Sequence, residues 1–600
     1  MKYQPTVLLI DDDTDDQEIF SHAMDKANHN AHCVFADDGI QAIERLQQDI
    51  NFLPDYIFID MNMPRMNGQQ CLAAIKQIDR LKNTPVYMYS TSADPESIEK
   101  NKKLGAADFI VKPANINDLV AMLKSIIQKP ILAVLLFLCS LGFAPSALAQ
   151  DTISPIRELK KLSVEELMSI VVTSVSKRPE NLSEVASAIQ VITGYDIRRS
   201  TAQRLPEALR LAPNLQVFQS GSHDWAVSAR GFNGAPVSNS SLANKLLVMI
   251  DGRTVYTPLF GGVYWDVQNF LLEDLDRIEV VSGPGGTLWG SNAINGVVNI
   301  ISKAARETQG LFVSGTYGSL MRDHFAARYG GQIDSAFFFR VYGQRFDAKN
   351  SLLQDGGDAR DTWNRTTAGF RADFSPASNQ TFTLQGDIYT GEEDDTLSTI
   401  VNGQNLIGRW ITSQSDVSNF AFQVYIDRTF RNIQSSPLID ELITFDVDIQ
   451  KQFPVGEHNI ILLGGGYRIQ DDKTESINNT FDPARRTLNL LSGFIQDEID
   501  IVENKALLTV GSKFLQNEYS GFEIQPSIRF ALTPNATHTI WAAVSRAVRT
   551  PSRFDVDLAI FNNIEHPEFV SEKVIAYELG YRIRPASTLS FSVATYYNQY

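Results

Sequence analysis

Near the start of this 600-residue chain, four apolar runs each end in polar residues. Val7-Leu8-Leu9-Ile10 leads into Asp11-Asp12-Asp13, and Tyr56-Ile57-Phe58-Ile59 into Asp60. Val86-Tyr87-Met88-Tyr89 leads into Ser90-Thr91, and Asp108-Phe109-Ile110-Val111 into Lys112-Pro113. Carboxylates, a hydroxyl and a lysine gathered at such ends suit one chemistry. Two or three carboxylates hold Mg2+ through oxygen ligands, and a carboxylate beside the metal can accept a phosphoryl group as an acyl phosphate. The lysine and hydroxyl then meet the transferred oxygens, so the work is electrostatic positioning. Any single residue of the run Asp11 to Asp16 reads equally well as a solvated face, but that reading fails for the constellation. A calcium loop is excluded, because Asp16 stands where an EF-hand turn needs glycine.

The elements that position these groups follow from the same runs. Short continuous apolar stretches mark parallel strands buried on both faces. Helical patterns separate them, for instance at Ile40 to Leu46 and Gln69 to Ile78. The alternation predicts a doubly wound, flavodoxin-like α/β domain over residues 1–128, with its crevice at the carboxyl ends of the strands. Residues 6–127 resemble a response-regulator receiver domain of the single-domain type, on Asp60-Met61-Asn62-Met63-Pro64 with Gly68 and on the acidic pair Asp11-Asp12. The resemblance implies Asp60 as phosphoacceptor and Mg2+ bound by Asp11, Asp12, Asp60 and the main-chain carbonyl of Asn62. It implies Ser90 as switch hydroxyl, Phe109 as switch aromatic and Lys112 as phosphate-binding lysine, followed by a cis peptide at Pro113. Thr91 departs from the small alanine common at that position. A histidine kinase or phosphotransfer protein is the implied donor, and no DNA-binding output domain follows.

A second cluster of unusual residues lies in Leu271 to Lys303. Ile278, Val280 and Val281 read as one buried strand and Val297, Val298, Ile300 and Ile301 as another. The loop between them carries Gly283, Pro284, Gly285, Gly286, Gly290 and Gly296, which makes it a shaped backbone surface. A phosphate cradle would need Gly-Lys-Ser/Thr and a helix opening after the glycines, and neither is expected here. The stretch resembles the end of the plug domain of TonB-dependent outer-membrane receptors. Arg277 to Val280, Gly283-Pro284, Trp289-Gly290, Ala293, Gly296 and Val298 to Lys303 fall in register with that pattern. Arg230 and Gly231, in Ala229-Arg230-Gly231-Phe232, extend the likeness. Arg230 and Arg277 are expected to act as internal glue between plug and barrel. Upstream, Ile170, Val171, Val172, Thr173 and Ser174 resemble a TonB box, whose mechanics would be strand addition to a partner's sheet edge. An ordinary plug strand is the competing reading.

Composition limits the partners. The net charge of −17 argues against nucleic acid, which needs a basic face. Three cysteines, Cys33, Cys71 and Cys139, lie in the first quarter, so no disulfide framework holds the rest. Between Lys129 and Gln150, Ile131 to Leu141 is apolar and uncharged, and Ala147-Leu148-Ala149 follows. That is the plan of a secretory signal peptide over 129–149, with a transmembrane helix as its rival. Met122 opens a complete signal peptide by itself. The receiver needs a cytoplasmic kinase, whereas a signal peptide must lead. The expectation is therefore that residues 1–121 and 122–600 derive from two adjacent coding units merged into one frame.

From about residue 306 the apolar residues follow a period of two. Ala368, Phe370, Ala372 and Phe374 alternate with Gly369, Arg371 and Asp373, and Phe382, Leu384, Gly386 and Ile388 with Thr383, Gln385, Asp387 and Tyr389. Lipid outside and water or plug inside predict this pattern for a transmembrane antiparallel β-barrel; a soluble sandwich is the rival. At roughly 20 residues per strand and connection, about 14–15 strands are expected, against about 22 in plugged transporters, so the barrel looks truncated. The expected plan is a receiver over 1–128, the signal-like segment, a periplasmic extension over 150–182, a plug over 183–305 and a partial barrel over 306–600. The implied function is uptake of a scarce ligand, an iron-siderophore by family frequency, powered by the TonB complex in the bacterial outer membrane. A cytoplasmic phosphorelay regulator as the only working part, or a passive porin-like channel, would be the alternatives. No catalytic constellation marks residues 150–600, no intrinsic cofactor is implied there, and the ligand-binding residues are unknown.

Overall fold

The computed structural model describes residues 5–123 and 171–600 apart from short stretches, the longest at 91–100, 232–235 and 560–568. The chain divides into two compact units, Met1–Ile153 and Ser154–Tyr600. The signal-like segment 129–149 and the extension as far as Ile170 lie outside the described residues.

In the first unit, β1 (Thr6–Ile10), β2 (His32–Ala36), β3 (Tyr56–Asp60), β4 (Val86–Ser90) and β5 (Asp108–Val111) form a parallel sheet in the order β2-β1-β3-β4-β5. Both faces are covered, which is why the central strands read as unbroken apolar runs. Leu8, Ile10, Ile57, Ile59 and Met88 pack on α2 (Gly39–Gln48) and α3 (Gly68–Lys76). Val7, Leu9 and Phe58 pack on Phe20 and Met24 of α1 (Thr14–Ala27). Asp38 caps α2 through the Ile40 and Gln41 amides, and Asn67 with Gln70 closes a capping box on α3. These caps fix the loops that leave the carboxyl ends of the strands. Gly68 is required by closeness: a Cβ there would lie 2.4 Å from the Asp60 carbonyl oxygen.

The second unit begins with a five-stranded mixed sheet, in the order Arg253–Thr254, Leu246–Ile250, Gly296–Ser302, Leu275–Ser282, Ala188–Thr193. Leu246–Ile250 and Gly296–Ser302 run parallel and the other pairs antiparallel. One face buries Val248, Ile278, Val280 and Val298 against Ile197, Leu205 and Leu209 from two short helices. The other buries Leu247, Met249, Val281 and Val297 against Val172, Val175, Leu182 and Val185. A single turn of helix, Gly286–Trp289, stands in the glycine loop where none was expected. Four residues are too few for a periodic signal in sequence.

Fifteen antiparallel strands follow in chain order, from Gly310–Tyr317 to Leu589–Gln599, and these two are the edges of the sheet. At one end the connections are two to four residues long; the other end carries longer ones such as 349–361. The alternation decides the facing: Leu384 is 47% exposed and its neighbour Thr383 9%. Inward side chains meet the plug along the sheet. Arg328 pairs with Asp274, Gln385 Nε2 donates to Asp251 at 2.8 Å, Arg253 Nη1 donates to Asp427 at 2.6 Å, and Arg230 pairs with Glu578. A cavity of about 380 Å³ remains between plug and barrel, lined among others by Thr173, Lys177, Arg277, Arg409 and Lys513.

Candidate functional sites

The carboxyl edge of the parallel sheet brings the first constellation together. Lys112 Nζ lies 2.7 Å from Asp11 Oδ2, 2.7 Å from Asp16 Oδ2 and 2.9 Å from Asp60 Oδ1. The Lys112 amide donates to the Ser90 carbonyl at 2.7 Å, which ties β5 to β4 beside the buried Ser90 side chain. The Asn62 amide donates to Asp60 Oδ2 at 2.6 Å, and the Asp13 amide to Asp11 Oδ1 at 3.0 Å. Lys112 also stands 5.1 Å from the centre of the Tyr89 ring. Burial raises the Asp11 carboxyl above its ordinary value despite the Lys112 bond, and it pushes the Tyr89 hydroxyl up to about 12. Burial works against the Lys112 charge, but the bonds to Asp11, Asp16 and Asp60 outweigh it and raise Lys112.

Asp12 is exposed one residue beyond Asp11, and Phe109 is half-buried against the α2–α3 side. Asp16 is the member that sequence reasoning placed only in a solvated run. Its signal lay in the first turn of α1, which brings it back over the strand ends. Among the described residues no three His, Cys, Asp or Glu side chains converge in metal-ligating geometry. The donor set nevertheless fits Mg2+ in kind: oxygens of Asp11 and Asp60 face one shared cation, here the Lys112 ammonium. The one cis peptide among the described residues joins Asp482 to Pro483, so the cis bond implied at Pro113 is absent.

The second constellation is the glycine loop and its surroundings. Gly283 has φ +108°, and a Cβ there would lie 2.5 Å from Glu578 Oε1 and 2.9 Å from Arg230 Nη2. The residue must be glycine for the Arg230–Glu578 pair to close beside it. Arg230 itself is left-handed, with φ 57°, precedes the left-handed Gly231, and stacks 4.1 Å over the Tyr596 ring. Pro284 follows Gly283, Gly290 ends the helical turn, and Gly296 opens the next strand. Arg230 thus joins plug to barrel as expected. Arg277 does not: it pairs with Asp276 and, at 2.8 Å, with Glu279 Oε1 on its own strand. Residues two apart on a strand share a face, which explains the change of partner.

The segment resembling a TonB box is in place from Val171 onward. Val171–Val172 pairs antiparallel with Glu180–Asn181, and Val172 is buried on the plug sheet, a contribution of roughly 1.5–3 kcal/mol for such a side chain. The Thr173 and Ser174 amides reach Glu279, a residue the sequence reading had not singled out.

The first unit is a phosphoryl-accepting α/β domain, and the second is a plug sheet joined to a barrel-like antiparallel sheet. The chain matches three family models: response regulator receiver domain over residues 7–124, TonB-dependent receptor plug domain over 181–297, and TonB dependent receptor-like β-barrel over 308–600. It therefore belongs to the response-regulator receiver family in its first unit and carries TonB-dependent receptor plug and barrel domains in its second. The two-component response regulator ORR3 of Oryza sativa subsp. indica is 31% identical over 126 residues, 21% of this chain and 93% of that protein. The vitamin B12 transporter BtuB of Vibrio vulnificus is 31% identical over 169 residues, 28% of this chain; the chain spans about a quarter of that transporter's length, 26%. The siderophore receptor PirA of Acinetobacter baumannii shares the fold at a TM-score of 0.57 and 14% identity, over 69% of this chain and 70% of that one.

Proposed function

We propose that residues 150–600 work in the bacterial outer membrane as a TonB-dependent receptor that takes up an iron-siderophore. The observation that carries this reading is the row of inward side chains, from Arg328 to Glu578, bonded to a plug that must move for anything to pass. TonB would pull on Ile170–Ser174 and so displace the plug. Cobalamin is the second reading, favoured by the 31% identity to the vitamin B12 transporter. The test is uptake of radio-iron-loaded siderophores and of labelled cobalamin by cells that lack their own receptors. Deleting residues 170–174 should abolish uptake; uptake left intact would mean a passive channel.

In the first unit, Asp60 would take the phosphoryl group from a histidine kinase or phosphotransfer protein. Mg2+, held by Asp11, Asp12, Asp60 and the Asn62 carbonyl, would neutralise charge on the transferring group. Lys112 would donate to the phosphoryl oxygens and Ser90 would report their arrival, with Phe109 following. The two units would act in different compartments, as products of two merged coding units. Mass spectrometry of outer membranes decides this. A mature N-terminus at Gln150 supports it, and peptides from 1–121 joined to the barrel would refute it.

A further inference from the structure

The cavity of about 380 Å³ between plug and barrel carries charge that its own walls do not balance. Lys177, Arg277, Arg409, Arg468 and Lys513 line it. Arg277 is bonded to Asp276 and Glu279, and Arg468 Nε donates to Asp446 Oδ2 at 2.8 Å. Lys177 Nζ stands 3.7 Å from Asp448 Oδ1, an ion pair too long for a hydrogen bond. Arg409 donates to uncharged groups, the Gln423 side chain at 2.6 Å and the main-chain carbonyl of Asp251. Among the described residues, no carboxylate lies within ion-pair distance of Lys513. Lys513 is 6% exposed, and its ammonium donates to the Leu288 carbonyl at 3.2 Å. It stands 5.5 Å from the centre of the Phe494 ring, and the Lys177 ammonium stands 4.7 Å from the same centre. An ammonium withdrawn from water without a counter-charge is costly, and a second ammonium nearby adds to the cost. The ring and the carbonyl offset only part of it.

We propose that this cavity binds a small organic anion, its carboxylate held by Lys513 and Lys177 and its apolar body lying against Trp289. The Lys177 ammonium is 5.0 Å from the Trp289 ring centre. Trp289 packs with Leu247 and Met249, which line the same cavity, so an apolar wall stands beside the two ammoniums. Cations beside such a wall suit a carboxylate carried on a ring or hydrocarbon. Inorganic phosphate or sulfate would meet the charge and leave the wall uncovered. The volume falls within the range of small-molecule sites. The Asp448 side chain, 33% exposed, marks a side on which solvent reaches the cavity. The role of the site in uptake rests on reading residues 150–600 as a TonB-dependent receptor, whereas its binding chemistry does not. Where that reading holds, Lys513 sets a preference for anionic over neutral cargo moving past the plug.

The experiment is equilibrium dialysis of the full chain in detergent against labelled phthalate, a dicarboxylate on an aromatic ring. Phthalate should bind roughly tenfold more tightly than malonate, which carries two carboxylates and no ring. Phthalamide, the uncharged counterpart, should not compete. Lys513→Met should weaken phthalate binding roughly tenfold, as for the loss of one charge-assisted bond. Lys473→Met, at an exposed lysine outside the cavity, should leave it unchanged. Competition by phthalamide, or native binding in Lys513→Met, would overturn the site, and malonate bound as tightly as phthalate would overturn its apolar half. Should Lys513→Met fail to fold, Lys177→Met decides in the same way. Uptake of siderophores and cobalamin is measured alongside. A native chain that binds phthalate and takes up nothing keeps the site and removes the receptor reading, whereas uptake without phthalate binding does the reverse.

Discussion

Two buried carboxylates set the same group in opposite surroundings. Asp60 is 8% exposed and lies at the open end of a parallel sheet, with Lys112 facing one oxygen and the Asn62 amide the other. Glu279 is 0% exposed, in the middle of a mixed sheet, with three donors on one oxygen and an arginine on the other. A nucleophile needs a lone pair that an incoming phosphorus can reach, and a mobile cation that can move onto the product. A latch needs every lone pair occupied. The difference is one of position: strand ends in a doubly wound domain open into a crevice, whereas strand centres are covered on both faces.

The largest expected effect separates the two completely. Asp60→Asn should abolish labelling of the chain by acetyl phosphate, and Glu279→Gln should leave it at the native level. Labelling that survives in Asp60→Asn would place the acceptor elsewhere. Stability should show the reverse order. Glu279→Leu strands three donors and the Arg277 guanidinium, a loss of about 3–5 kcal/mol for breaking a buried charge arrangement. Asp60→Asn removes one of three carboxylates crowded on a single lysine and should raise receiver stability by about 0.5–1 kcal/mol, within the range of single stabilising substitutions. Thermal unfolding of the full chain in detergent measures both. A Glu279→Leu chain that melts with the native one would leave the latch without energetic content.

What the sequence disclosed follows the same division. β1, β3 and β4 were legible because strands buried on both faces are apolar without interruption; β5, an edge strand with no buried residue, was legible from its short apolar run leading into Lys112-Pro113. β2, His32–Ala36, was not, because this edge strand opens on His32, its burial is mixed and its apolar run is short. The barrel was legible because lipid and plug impose a period of two, and the fifteen strands agree with the 14–15 expected. Asp11, Asp60 and Lys112 could be placed from the strand ends that carry them. The contact of Asp16 with Lys112 spans 96 positions and that of Ser174 with Glu279 spans 105. No local period encodes such pairs; only the packed fold brings them together. Arg277 shows the converse. Its motif pointed to the barrel, but a carboxylate two residues away on the same face claimed it first.

A smaller effect tests whether the cation of the first site is truly mobile. Lys112→Met should slow labelling roughly a hundredfold, as expected for losing one preorganised donor to a developing charge. The native fold should persist, since Asp11 and Asp60, though buried, lie at the open carboxyl edge of the sheet, where a solvent cation can take the place of the ammonium. If labelling is lost entirely and the domain unfolds, Lys112 is a structural pin like Arg277, and the contrast between the two sites weakens.

The smallest effect concerns protons. Burial raises Asp11 above the ordinary carboxylate value, so folding favours its protonated form. The sign follows. The stability this group contributes is present below its unfolded value of 3.8 and is lost as pH rises through the raised folded value. Mg2+ needs Asp11 deprotonated and should compete with that proton. The upward shift in receiver melting temperature given by a fixed Mg2+ concentration should therefore grow as pH rises from 3.8 through the raised folded value and then level off, by about 1.4 kcal/mol for each tenfold gain in affinity. The plug transition should not respond to Mg2+ at any pH, because Glu279 has no oxygen left to offer. A shift in the receiver that stays flat across that range would remove Asp11 from the ligand set. A plug that responds to the metal would mean the latch is open.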